Sequence, residues 1–206
     1  MYVSPDDIDF EKLPEKFVIK TTTGSGGQNV VIVKDKAIVN WNEIKRELLL
    51  WNSDNTLGAL AGREWAYTRC KPRIIVEQLL IDPTETDSSL IDYKFFCFDG
   101  KPKCIQVDTG RFDGHHQNYY DMQWQSMNVH CTYPAGDVLP MPKNFETMKQ
   151  IASLLSKDFP FVRVDLYNIN GKIYFGELTF YQSSGYGKFH PDDFDFRLGS
   201  YFTEYK

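Results

Sequence analysis

Phe161-Val162-Arg163-Val164-Asp165-Leu166-Tyr167, the turn segment Asn168-Ile169-Asn170-Gly171, and Lys172-Ile173-Tyr174-Phe175-Gly176-Glu177-Leu178-Thr179-Phe180 read as a β-hairpin. Strict alternation in the first arm puts Arg163 and Asp165 on one face and Val162, Val164 and Leu166 on the other. In the second arm Glu177 shares a face with Thr179. An odd-numbered loop around Gly171 sets Asp165 opposite Glu177, whereas a two-residue loop at Asn170-Gly171 moves them to opposite faces. Opposed carboxylates are costly unless a cation intervenes. Mg2+ is commonly held by one or two carboxylates plus substrate phosphates. The bland alternative is a solvated strand face on which Arg163 neutralises Asp165.

A second hairpin lies upstream. Tyr93 to Phe98 and Lys101 to Val107 flank Asp99-Gly100, a dipeptide suited to a type I′ turn. Phe17-Val18-Ile19-Lys20 reads as a strand ending in a lysine. Gly24-Ser25-Gly26-Gly27 follows, then strands over Asn29–Lys34 and near Ala37–Val39. Asn40 is placed to cap a helix over Trp41–Trp51, with Trp41, Ile44, Leu48 and Trp51 on one face. Arg73 to Leu80 reads as a buried strand. Residues 108–143 show little period, and Asn144 is placed to cap a helix to about Lys157 with Phe145, Met148, Ile151 and Leu155 inward. Hairpins dominate over β-α-β units, so the expected class is α+β.

Composition narrows the function. The 206 residues carry 23 Lys+Arg against 28 Asp+Glu, a net charge of −5, which argues against general nucleic-acid binding. A hydrophobic share of 42% with 25% charged residues is that of a globular chain. No run approaches the roughly 20 apolar residues of a membrane span. MYVSPDDIDF has no signal-peptide pattern, so a cytoplasmic protein is expected. Cys70, Cys97, Cys104 and Cys131 form no C-x-x-C pair and read as buried or incidental thiols. His115-His116 reads as part of a solvated loop, and His130 and His190 stand alone.

Several residues suit phosphate chemistry, each with a plainer alternative. The Gly24–Gly27 segment suits backbone wrapping of a phosphate, with Lys20 beside it, or is simply a flexible turn. No Gly-Lys-Ser/Thr follows, so it is not a P-loop. Glu77 needs a donor, either an adenine amino group or a nearby Lys or Arg. Lys94 raises the same question with opposite sign. Arg111 and Arg163 suit charge stabilisation on a transferring phosphoryl group, or pair with Asp108 and Asp165.

In this order, these residues resemble an ATP-grasp domain, and most nearly the teichuronopeptide-biosynthesis (TupA-like) ATP-grasp family. Phe17–Lys20 with the glycine segment resembles the strand-lysine and phosphate-covering hairpin. Ile74 to Leu80 resembles the adenine-reading hinge, and Asp92-Tyr93-Lys94 with Asp99-Gly100-Lys101 the next hairpin. Arg163-Val164-Asp165 and Gly176-Glu177-Leu178-Thr179 resemble the two metal-ligand strands, with Thr179 where many relatives carry Asn. Arg63-Glu64-Trp65, Lys71-Pro72-Arg73 and Gly185 fit the pattern too.

The resemblance implies two α+β lobes with antiparallel sheets, residues 1–78 and 79–206, with ATP between them. The extra N-terminal domain usual in ATP-grasp enzymes is expected to be largely missing, since about sixteen residues precede the first strand. It implies ATP and Mg2+ as cofactors. Lys20, Gly24, Ser25, Gly26, Gly27, Glu77, Gln78, Leu79 and Lys94 would bind nucleotide. Arg111 and Arg163 would be catalytic, and Asp165, Glu177 and Thr179 would hold metal. The implied reaction is carboxylate–amine ligation through an acylphosphate, on an acceptor belonging to a surface glycan. Two alternatives stand beside it: a nucleotide-binding module without turnover, and a glycosyltransferase, against which the sequence shows no β-α-β nucleotide-sugar half.

Overall fold

Alternating apolar side chains and two tight turns build the framework of the described residues as antiparallel sheet. The computed structural model describes residues 1–23, 29–52, 68–83, 90–112 and 114–203. The glycine segment 24–27 and Arg63-Glu64-Trp65 lie outside these described residues. The chain divides into two compact units, Met1–Leu80 and Ile81–Lys206.

In the first unit β1 (Phe17–Thr21) pairs antiparallel with both β2 (Val30–Val33) and β3 (Ile74–Gln78), in the order β2-β1-β3. Phe17 and Ile19 point into a core closed by Ile44 and Leu48 of α1 (Trp41–Trp51). The Asn40 side chain accepts a hydrogen bond from the Asn42 amide, as a cap should. The strand expected near Ala37–Val39 is instead a single 3-10 turn over Lys36–Ile38. The Asp35 side chain accepts from the Ala37 amide there and bends the chain away from the sheet.

The second unit carries six strands in the order β7-β6-β5-β4-β8-β9. They are β4 (Asp92–Phe98), β5 (Lys101–Thr109), β6 (His116–Asp121), β7 (Ser126–Met127), β8 (Phe161–Ile169) and β9 (Lys172–Thr179). Tyr93, Phe95, Ile105, Val107, Val162, Val164 and Leu166 pack against Phe145, Met148 and Ala152 of α2 (Phe145–Ser156). On the opposite face Phe96, Phe98 and Tyr119 cluster with Phe194 and Leu198 of α3 (Asp193–Gly199).

Three expectations need correction here. Residues 108–143 are not irregular throughout. His116–Asp121 forms a buried strand whose alternation is hidden because Gln117 and Asn118 are buried and hydrogen-bonded. Asn144 precedes α2 but gives it no side-chain cap. It is held at φ 64 and donates its amide to the Gly171 carbonyl at 2.7 Å. The last hairpin turns on Asn170-Gly171 alone, because Asn168 and Ile169 pair with Ile173 and Lys172.

That two-residue turn alone would pair Asp165 with Gly176. A bulge between Asp165 and Leu166 on the one arm, opposite Gly176 on the other, shifts the register by one, and Asp165 pairs with Glu177. A β-carbon on Gly176 would sit 3.0 Å from the Asp165 carbonyl oxygen, so the bulge needs a residue without one.

The β4–β5 hairpin repeats the device. Asp99 and Gly100 take φ 46 and 72, as a type I′ turn requires. A bulge beyond Cys97 then pairs Lys94 with Gln106 and Asp92 with Asp108.

Candidate functional site

The two bulges, with the regular pairing between them, align one polar row across five strands. Tyr119, Gln106, Lys94, Asp165 and Glu177 are successive cross-strand partners. Asp108 and Asp92 form a neighbouring pair, and Arg163 and Thr179 another. Apart from Glu177 and Thr179, these charged and polar groups are buried, so each needs partners.

Lys94 is the centre of the row, with a side chain 5% exposed. Its Nζ donates to Asp165 Oδ2 at 2.8 Å and to Asp92 Oδ2, and lies 4.0 Å from Asp108 Oδ2. Arg163 grips Asp165 with a fork, Nε to Oδ1 and Nη2 to Oδ2, both at 2.7 Å. Its Nη2 also donates to Thr179 Oγ1 at 3.0 Å and reaches Glu177 Oε1 at 3.4 Å. The Arg163 guanidinium thus lies between the opposed carboxylates of Asp165 and Glu177.

Burial by itself would raise the Asp165 carboxyl, but Lys94 and Arg163 hold it below the usual carboxylate range. Burial works against charge on Lys94 and Arg163 too, yet the surrounding carboxylates hold both above their ordinary values. At Asp92 burial prevails over Lys94, and the carboxyl is raised.

Among the described residues no three His, Cys, Asp or Glu side chains stand close enough to hold a metal ion by themselves. The donor set nevertheless fits Mg2+ shared with substrate phosphates. The Glu177 side chain is 64% exposed, with the Thr179 hydroxyl donating to it at 3.2 Å. Asp165 Oδ1 accepts from Arg163 Nε, and a carboxylate oxygen has room for a second contact.

The other expected site residues are placed as follows. Lys20 and Glu77 pair with one another, Nζ to carboxylate 2.8 Å, on one face of the three-stranded sheet. Glu77 is not buried as expected. It lies with Gln78 at the exposed end of β3, so its donor is Lys20. Leu79 donates its amide to the Lys16 carbonyl at 3.3 Å. Arg111 is partly exposed and lies 4.0 Å from Asp92 rather than pairing with Asp108.

His115 is not in a solvated loop. Its side chain is 13% exposed, stacked on Tyr133 at 3.8 Å between ring centroids, with Nε2 3.5 Å from Asp108. Burial lowers its basicity against the pull of Asp108. Sequence reading assigned Asp92, Asp108, Gln106 and His115 no site role. Period two in β4 and β5 signals the first three, once the register is known.

A model of the family described as TupA-like ATPgrasp matches residues 2–203, and the chain belongs to that family. Among solved structures, D-alanine–D-alanine ligase from Bacillus anthracis is similar at 15% identity. The match covers 97% of this chain and 55% of that one, with a TM-score of 0.46. The same ligase complexed with ATP is similar at 15% identity over 83% of this chain and 43% of that one, TM-score 0.41. The ATP-grasp ligase PsnB, complexed with a phosphomimetic variant of minimal precursor, Mg and ADP, is 11% identical over 98% of this chain and 51% of that one, TM-score 0.45. The chain thus spans about half the length of these structures. No curated protein matches the sequence. No helix among the described residues is long and apolar enough to cross a membrane.

Proposed function

We propose that this chain is an ATP- and Mg2+-dependent carboxylate–amine ligase acting in cell-surface polysaccharide biosynthesis in the cytoplasm. The observation that carries the reading is the polar row ending in the Arg163–Asp165 and Glu177–Thr179 pairs, where a fixed guanidinium and an accessible carboxylate lie side by side.

In this reading Lys20 and residues 24–27 hold the nucleotide phosphates, while Glu77, Gln78 and Leu79 read adenine. Asp165, Glu177 and Thr179 hold Mg2+, which supplies charge neutralisation at the phosphates. Arg163, fixed by Asp165, and Arg111 stabilise charge on the γ-phosphoryl group, and Lys94 fixes Asp165 from the other side. The acceptor carboxylate attacks the γ-phosphorus and ADP leaves. An amine then attacks the acyl carbon, losing a proton and expelling phosphate. A uronic acid of a surface glycan, or an amino acid attached to one, supplies the carboxylate.

Calorimetric titration with ATP, GTP and a UDP-sugar, with and without Mg2+, tests this. The expected order is ATP over GTP, with tightening by Mg2+ that Glu177→Gln abolishes while leaving metal-free binding intact. Lys20→Ala should weaken ATP by about 1.5–3 kcal/mol, the range for a charge-assisted contact. Tighter binding of the UDP-sugar than of ATP, or ATP binding insensitive to both substitutions, overturns the reading.

A further inference from the structure

Among the described residues of the second unit the buried charges do not balance. Asp92, Asp108 and Asp165 are three carboxylates whose side chains are each less than a tenth exposed, against the two cations Lys94 and Arg163. Arg111, 41% exposed and 4.0 Å from Asp92, meets them only at the solvent edge.

Hydrogen bonding shows where the deficit lies. Asp92 and Asp108 are direct cross-strand partners, an arrangement that costs stability for like charges. Lys94 satisfies Asp92 Oδ2, and Gln106 donates to Asp108 Oδ1 at 2.7 Å. Asp92 Oδ1, on a side chain only 6% exposed, has no hydrogen-bond partner among the described residues. The same is true of His115 Nε2, which lies 3.5 Å from Asp108 Oδ2. Protonating Asp92 would balance the charge but add only a single donor to a cluster in which two buried atoms, Asp92 Oδ1 and His115 Nε2, have no partner among the described residues. A primary ammonium would bring both a positive charge and several N–H donors to these groups.

We infer that Asp92 and Asp108, flanked by His115 and Arg111, form a binding subsite for a primary ammonium group. Its role as the amine substrate rests on the ligase reading above; its binding does not. Arg111 at the rim excludes a second free cation and suits an amine that carries an anionic group beside it, as an amino acid does.

The test is NMR of the isotopically labelled full chain, with and without Mg2+ and ATP. Ethylammonium is titrated as the probe, and tetramethylammonium, which has the charge and no N–H, is the control. Saturable shifts of the His115 ring and the Asp92 carboxyl with ethylammonium alone are expected, with binding weakened about tenfold or more in Asp92→Asn. His115→Ala, in a loop, gives the same comparison through the Asp92 signal if the first variant does not fold. Equal shifts with tetramethylammonium, no saturable shift in either nucleotide state, or unchanged binding in Asp92→Asn would overturn the subsite. Ethylammonium binding without any ATP binding refutes the ligase reading alone. ATP binding without ethylammonium binding refutes the subsite alone.

Discussion

Replacing Lys94 by Met isolates the charge at the centre of the sheet, because the two side chains are close in length and the apolar stem is retained. Lys94 is the cation shared by Asp92 and Asp165, whose side chains are 6% and 3% exposed. Removing one partner of a buried ion pair costs about 3–5 kcal/mol, because the remaining charge is left without compensation. Here Asp165 keeps Arg163, so the loss falls mainly on Asp92, and protonation of Asp92 caps it near the lower end of that range. The sign of the pH dependence follows. In the parent, Asp165 has a lowered carboxyl, so its contribution is present above the unfolded value and lost as pH falls through the folded one. Lys94, raised, contributes below its unfolded value and loses that contribution as pH rises through the folded one. The variant should therefore be weakest where Asp92 is ionised and recover toward the parent on acidification as Asp92, whose carboxyl burial already raises, takes up a proton. Native-state hydrogen exchange of the β4 and β8 amides reads this unit separately from the other. Parent-like protection at neutral pH, or a deficit that does not shrink on acidification, would show that Lys94 does not hold these carboxylates.

Two further outcomes follow from the packing. Gly176→Ala should cost about 1–3 kcal/mol in thermal or urea unfolding, since its methyl meets backbone rather than a movable side chain; it should also abolish Mg2+-dependent tightening of ATP by disturbing the register of Glu177, and a variant as stable as the parent would refute the role given to the bulge. Cys70 should react quickly with a thiol reagent near pH 8, while Cys97 and Cys104, buried and with thiols pushed up to about 12, should react only on unfolding; rapid labelling of three or four thiols in the native protein would contradict the burial of β4 and β5.

Much of this is legible in the chain itself. Alternation over 161–167 puts Arg163 and Asp165 together, Asp99-Gly100 announces a hairpin, and the inward positions Ile44 and Leu48 of α1 follow from helical spacing. These features are local, set by side-chain period and by the φ preferences of single residues. His116–Asp121 escapes such reading because a strand buried on both faces, with polar groups satisfied by distant partners such as the Asp137 carbonyl, carries no period of its own.

Register is what the tertiary structure alone decided. Both functional hairpins turn on two residues, and both turns, extended without interruption, would send the paired polar residues to opposite faces. One bulge in each arm pair restores them, setting Asp92 against Asp108 and Asp165 against Glu177. Gly176 permits the bulge in its strand, but where a bulge falls is not fixed by that strand alone. It is fixed by the requirement that Val162, Val164 and Leu166 meet α2 while Lys94 reaches a carboxylate on its own strand and another on β8. The sequence alone determined which residues carry charge and how often they recur. Burial of the opposite face determined which of them meet, because one residue of slip costs every apolar contact on that face.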